Sequence, residues 1–204
     1  EPRNIFELGI FRGGSTVWLN ELFTPDKLVA IDYSDKPIKQ LESYLDENNL
    51  RNTVKTFYGV DQKNISMLHK IYCEEFSQQK LDLVLDDASH ILDETRQSFN
   101  YLFPRLRPGG LFIIEDWGWS HDPMMEDERV AKRFVGKPPL STLLMEIMLA
   151  CPRLEGVIKE VYFDKYCAYV VRGDEDVSED GFDISCSYTV HENWRLADGL
   201  FSET

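Results

Sequence analysis

Five short apolar runs, with helix-like stretches between them, recur through the first part of this chain and restrict it to an α/β architecture. Ile5 to Leu8, Leu28 to Ile31, Val54 to Phe57, Leu81 to Leu85 and Leu111 to Ile114 read as strands. Between them the sequence predicts one helix capped by Ser15 and ending at Phe23, and one carrying Pro37 in its first turn and ending near Asn48. Two more are predicted over Ile65 to Phe76 and Leu92 to Leu102. LDLVLDD and GLFIIED are nearly continuous apolar runs, as expected of strands covered on both faces by helices. The expectation is a Rossmann-like, doubly wound, mostly parallel seven-stranded sheet.

After Trp117 the periodicity stops, and the stretch to Pro139 reads as a long loop or lid near the site. A helix follows near Ser141 to Ala150, and EGVIKEVYFDKYCAYVVRG gives two runs joined at Asp164 and Lys165, a terminal antiparallel hairpin on the sheet edge. Residues 1–172 are expected to form the domain. Residues 173–204 read as an acidic, partly ordered tail or linker in which Trp194 and Leu196 are candidates to dock.

Composition removes several classes of function. A net charge of −14 repels a phosphate backbone, so no nucleic-acid partner is expected. The four cysteines, Cys73, Cys151, Cys167 and Cys186, show no C-x-x-C pair and no histidine at zinc-ligand spacing, which leaves reduced thiols as the default. No apolar stretch approaches the roughly 20 residues that span a bilayer, and no signal segment opens the chain. The reading is a cytoplasmic protein without a membrane partner. The abrupt start at Glu1 suggests a piece of a longer polypeptide, and a homo-oligomer or a place in a longer biosynthetic chain stays open.

In open α/β sheets the ligand crevice lies beyond the carboxyl ends of the strands, so residues at those ends are the candidates for chemistry. Glu7, Gly9, Gly13, Gly14 and Ser15 form a glycine-rich turn at a helix N-terminus, able to bring a ligand against bare backbone. Asp32 ends the second run, where a carboxylate can accept from both hydroxyls of a ribose or else cap the next helix. Asp61 and Gln62 follow the third run, where they would border an adenine ring or simply make a turn. The fourth run leads into Asp86, Asp87 and His90, and the fifth into Glu115 and Asp116. Carboxylates gathered without cysteine suit a hard cation such as Mg2+ or Mn2+, and a histidine beside them suits a general base. Helix capping for the acids and a backbone-bonded histidine are the plain alternatives. Trp117, Trp119, Met124 and Met125 would wall an acceptor site or belong to the core, and Arg12 would reach a ligand carboxylate or face solvent.

The order Glu7, Gly9, Gly13, Gly14 resembles the first motif of class I S-adenosylmethionine-dependent methyltransferases, and the spacing lacks the G-x-G-x-x-G of dinucleotide dehydrogenases. LDLVLDDASH together with RPGGLFIIEDW is similar to the metal-dependent sugar O-methyltransferases of macrolide biosynthesis, the mycinamicin and rhamnosyl type, and to the cephalosporin hydroxylase-like group. The resemblance runs over roughly Ile5 to Trp117. It implies a small-molecule hydroxyl acceptor, with Asp86 among the residues near the cofactor, Asp87, Glu115 and Asp116 as metal ligands and His90 as the base. The remaining readings are a noncatalytic nucleoside-binding or assembly domain and a metal-dependent hydrolase or oxygenase, and the latter lacks a second histidine near the acids.

Overall fold

A computed structural model describes residues 1–190, apart from the side chains of Arg129, Val130 and Arg133. Its strands are β1 (Asn4–Leu8), β2 (Lys27–Asp32), β3 (Val54–Tyr58), β4 (Leu81–Asp86), β5 (Leu106–Glu115), β6 (Ile158–Phe163) and β7 (Cys167–Arg172). The helices are α1 (Gly14–Phe23), α2 (Lys39–Glu47), α3 (Ile65–Phe76), α4 (Leu92–Leu102), α5 (Glu128–Phe134) and α6 (Ser141–Ala150). They build one seven-stranded sheet in the order β3-β2-β1-β4-β5-β7-β6. The pairs from β3 through β5 are parallel, and β7 runs antiparallel to both β5 and β6. The doubly wound fold with a closing hairpin is therefore present.

Alternate side chains of the strands feed two cores, because successive residues of a strand point to opposite faces. Ile5, Leu28 and Ala30 meet Leu19 of α1 and Leu41 and Leu45 of α2 on one face. Phe6, Leu8, Val29 and Ile31 meet α3, α4 and α6 on the other, where Phe99 stacks on Phe103 with ring centroids 4.8 Å apart. Burial of both faces explains the continuous apolar runs in β4 and β5.

Several local expectations change. Ser15 does not cap α1; Gly13 occupies that position with φ of +80°, a left-handed conformation that glycine adopts without a steric penalty. Pro37 lies ahead of the first turn of α2, because Ile38 stays extended at the cap with ψ of 97° and packs into the core. β5 starts earlier than the apolar run, at Leu106, with an irregularity opposite Leu81 and Leu83. The stretch after Trp117 is not a plain loop: it holds two 3₁₀ turns, Trp119–His121 and Pro123–Glu126, and then α5.

Residues 174–190 fold back over the α4 side of the sheet. Ile184 is fully buried, its N–H donates to the Asn100 side chain at 3.0 Å, and Asn100 donates to Asp183 at 3.0 Å. Two buried guanidinium groups reach the same segment, Arg105 donating to the Glu179 carbonyl and Arg172 to the Glu175 carbonyl. Trp194 and Leu196 lie outside the described residues. Among those described, no helix is long and apolar enough to cross a membrane.

Candidate active site

The carboxyl ends of β1 to β4 frame a cleft of about 1020 Å³, in the place where the crossover of the sheet leaves an opening. Gly9, Asp32, Asp61, Gln62, Asp87 and His90 are on its wall. The turn after β1 is held open by Asp32, whose Oδ2 accepts from the Ile10 and Phe11 N–H groups at 3.0 and 2.9 Å while Oδ1 accepts from Ser34 N–H at 2.8 Å. Three bonds occupy three of about four lone-pair sites of a carboxylate, so Asp32 keeps acceptor capacity toward the cleft. Asp61 stands beside it on the same wall.

Glu7, Gly13, Gly14 and Ser15 lie behind the wall and shape it. Glu7 is fully buried and accepts from the Thr16 hydroxyl at 2.6 Å, with Ser15 a second donor, while its Oε1 has no partner. Burial pushes its carboxyl up to about 7, a shift that the charges of Asp87 and Glu115 reinforce. A Cβ on Gly13 would meet Leu41 at 2.9 Å, whereas one on Gly14 would meet nothing within 4 Å. Only the first of that pair is demanded by space. Arg12 is exposed, with its guanidinium 5.3 Å from the centroid of the Phe11 ring.

Asp86 is not brought to the cleft. It is 2% exposed and accepts from Ser98 Oγ at 2.8 Å and from Gln62 Nε2 at 3.1 Å, and burial pushes it up to about 7. Gln62 is spent in the same way, since its Oε1 accepts from Ser89 N–H at 3.0 Å. This pair is a strut that fixes the turn after β4, and nothing in the local sequence pattern announced it.

Beyond the strut, Asp87, His90 and Asp116 each offer a ligand atom within 4.8 Å of the others, with His90 Nε2 and Asp87 Oδ1 3.7 Å apart. Glu115 stands next to this set. Half-burial, then the charges of Asp87 and Asp116, push its carboxyl up to about 6, and Asp87 is raised by desolvation against the opposing pull of His90. Acids that repel one another on the edge of a cleft, beside an imidazole and without cysteine, fit a hard divalent cation. Three residues here hold left-handed backbone without being glycine: Phe11 at φ +48°, His90 at +56° and Asp116 at +51°. Such conformations cost about 1 to 3 kcal/mol each and persist where the surroundings over-determine them.

Those surroundings come from the segments after β5. Trp119 donates its indole N–H to the His90 carbonyl at 2.7 Å and stacks on Phe134 with centroids 3.9 Å apart. It is 9% exposed and packs in the core, as does half-buried Met125, while Met124 is exposed. At Asp116 the backbone N–H donates to the Tyr166 carbonyl at 2.7 Å, and the Trp117 indole donates to the Asp164 carbonyl at 3.0 Å. The tip of the β6–β7 hairpin thus braces the acids. The sequence placed the hairpin on the sheet edge but carried no local sign of this contact.

Comparison with known proteins agrees with this fold. The family described as methyltransferase domain matches residues 6–117. The chain is 35% identical over 111 residues to mycinamicin VI 2''-O-methyltransferase of Micromonospora griseorubida, covering 54% of this chain and 24% of that protein. It is 31% identical over 130 residues to demethylmacrocin O-methyltransferase of Streptomyces fradiae, covering 60% and 29%. The chain thus spans less than a third of the length of these curated relatives. Among solved structures it is similar to the MycE methyltransferase of the mycinamycin biosynthetic pathway in complex with Mg, SAH and mycinamycin VI, with TM-score 0.62, 26% identity, and coverage of 89% of this chain and 46% of that one. The O-methyltransferase TomG of Streptomyces achromogenes shares the fold, with TM-score 0.56, 21% identity, and coverage of 84% and 74%. With a match over more than half of its length, this chain belongs to the methyltransferase domain family.

Proposed function

We propose that this chain is the catalytic domain of an S-adenosylmethionine-dependent, divalent-metal-dependent O-methyltransferase acting on a hydroxyl of a small molecule, a sugar or polyketide natural product. The observation that carries the reading is the Asp87, His90 and Asp116 set at the edge of a cleft large enough for a nucleoside. The relatives whose names state sugar or macrolide O-methylation point the same way.

On this reading Asp32 and Asp61 hold the nucleoside, Asp32 with its remaining lone pairs toward ribose hydroxyls. Gly9 lets the turn close on the Asp87 backbone, and Glu7 with Gly13, Gly14 and Ser15 sets that turn from behind the wall. Gln62 and Asp86 act through the strut, as positioning residues. Asp87, Asp116 and neighbouring Glu115 would hold Mg2+ or Mn2+.

S-adenosylmethionine supplies the methyl group already activated on a sulfonium, and a bound divalent cation polarises the acceptor hydroxyl as a Lewis acid. The protein's own part is to orient and to move one proton. The His90 imidazole takes the hydroxyl proton as general base, while the Trp119 bond to its carbonyl fixes the backbone that carries the ring. Most of the barrier reduction comes from holding the two reactants in line.

Calorimetric titration of S-adenosylhomocysteine tests the reading. Wild-type protein is expected to bind it and an Asp32→Ala variant to bind it at least tenfold more weakly. Absence of binding by the wild type, with or without Mg2+, would contradict the proposal.

A further inference from the structure

Part of the cleft wall belongs to the end of α5 and the turn after it, where Phe134 and Lys137 join Asp32 and Asp61. The run from Val135 to Pro139 is exposed, and Gly136 turns the chain at φ of +72° with open space where a Cβ would sit. Phe134 is half-buried and packs against the core. The ring therefore ties a loosely surrounded segment to the body of the domain.

What Phe134 packs on leads directly to His90. Its ring lies nearly flat on Trp119, with an interplanar angle of 20°. Trp119 takes no part in the cleft wall, and its indole N–H donates to the His90 carbonyl. A ligand in the cleft thus meets Phe134, Phe134 meets Trp119, and Trp119 meets the backbone of His90. That backbone needs a hold, because a residue with a side chain keeps φ of +56° only where its surroundings over-determine it. On the preceding residue a second hold comes from Gln62, which accepts from Ser89 N–H and is itself locked to Asp86. The Gln62 hold is part of the buried strut, whereas the Phe134 hold hangs on an exposed segment and is the adjustable one.

We propose that Phe134 is a positioning residue: a nucleoside bound in the cleft packs on its ring, restrains its stack on Trp119, and so strengthens the Trp119 bond that sets the His90 backbone. The inference rests on the methyltransferase reading above and adds to it a coupling between cofactor occupancy and the base. A ligand shifts such an arrangement only by binding one state better than another, and contact with the Phe134 ring supplies that difference. Coupling of this kind is reciprocal, so loss of the Trp119 bond weakens nucleoside binding although Trp119 is not on the wall. Both residues act through His90 and touch no reacting atom.

The test reads the Trp119 indole N–H by nuclear magnetic resonance, its signal assigned by its absence from Trp119→Phe, with S-adenosylhomocysteine as the probe. In wild type, saturation with S-adenosylhomocysteine is expected to slow hydrogen exchange at this N–H by about tenfold or more. Phe134→Leu, which keeps an apolar side chain but removes the stack, should still bind the probe and show less than about twofold slowing. Phe134→Tyr keeps the stack and should restore the slowing, and Val135→Ala, at the exposed neighbour, should leave it in place. By calorimetry Trp119→Phe, which keeps an aromatic ring against Phe134 and loses the donor, should bind S-adenosylhomocysteine about threefold or more weakly than wild type. Unchanged exchange in wild type that binds the probe, slowing that persists in Phe134→Leu, or wild-type affinity in Trp119→Phe would overturn the inference. Failure of wild type to bind S-adenosylhomocysteine would instead overturn the functional reading and the coupling with it.

Discussion

Gly9 and Asp87 meet backbone to backbone: a Cβ on Gly9 would lie 2.1 Å from the Asp87 carbonyl oxygen, and Gly9 holds φ of +100°. The N–H of Asp87 donates in turn to the Leu8 carbonyl at 2.9 Å. The glycine turn after β1 and the acid loop after β4 are therefore one piece, and a change in either moves both. Gly9→Ala is expected to weaken S-adenosylhomocysteine and Mg2+ binding together and to destabilise the fold by about 3 kcal/mol or more, because strain and overlap combine. Urea denaturation and calorimetry check it, and loss of only one of the two affinities would contradict the coupling.

Replacing His90 separates proton transfer from loop geometry. Asparagine tolerates left-handed backbone better than most residues, so His90→Asn keeps the turn that φ of +56° requires while removing the imidazole. Turnover is expected to fall roughly 10²- to 10⁴-fold with S-adenosylhomocysteine affinity unchanged. A variant that turns over like wild type removes His90 from the chemistry.

Stability of the metal-free protein should fall as pH rises. Glu7 and Asp86 are pushed up to about 7 and Glu115 to about 6, each chiefly by burial. A carboxyl with a higher pKa folded than unfolded binds more protons in the fold, so stability is lost as pH rises from the ordinary carboxylate range through the raised value. Asp82 and Asp183, held below the usual range despite partial burial by bonds from Arg107 and Ser185, act oppositely and lose their contribution as pH falls through their lowered values. The melting temperature is expected to be highest near about pH 5 and lower by several degrees at about pH 8. Mg2+ should recover part of the loss at the higher pH, since it binds the ionised acids. A melting temperature that rises over this interval without metal would contradict the assignment.

The segment after Arg172 is expected to hold the domain together. Ile184→Ala removes a fully buried side chain and should cost about 2 to 4 kcal/mol. Ending the chain at Arg172 should cost more, because Arg105 would lose its bond to the Glu179 carbonyl and Arg172 its bonds to the Gly173 and Glu175 carbonyls while both stay partly buried. Denaturation of both proteins checks this, and a shortened chain as stable as the full one would show that residues 174–190 merely lie on the surface.

The sheet and the carboxylates at its edge were readable because they are written in local pattern: strands buried on both faces give runs such as LDLVLDD, and their ends fall at fixed places. What escaped was long-range pairing. Asp86 looks like its neighbour Asp87 in sequence, and its pairing with Gln62, in the turn after β3, and with Ser98 of α4 holds it inward. Trp119 looks like a binding-site aromatic on an irregular loop, yet its indole is committed to His90 and its ring to Phe134. Ser15 satisfies the rule for a cap, and the left-handed Gly13 preempts it. The contact of Tyr166 with Asp116 joins residues whose proximity follows from strand pairing and not from spacing.

The central proposal is metal-assisted methyl transfer, and transfer of labelled methyl from S-adenosylmethionine to a panel of sugar and polyketide hydroxyl acceptors before and after chelation with EDTA tests it most directly. The account predicts incorporation that chelation abolishes, that added Mg2+ restores, and that Asp87→Asn with Asp116→Asn does not support. Incorporation that survives chelation and both substitutions would contradict it.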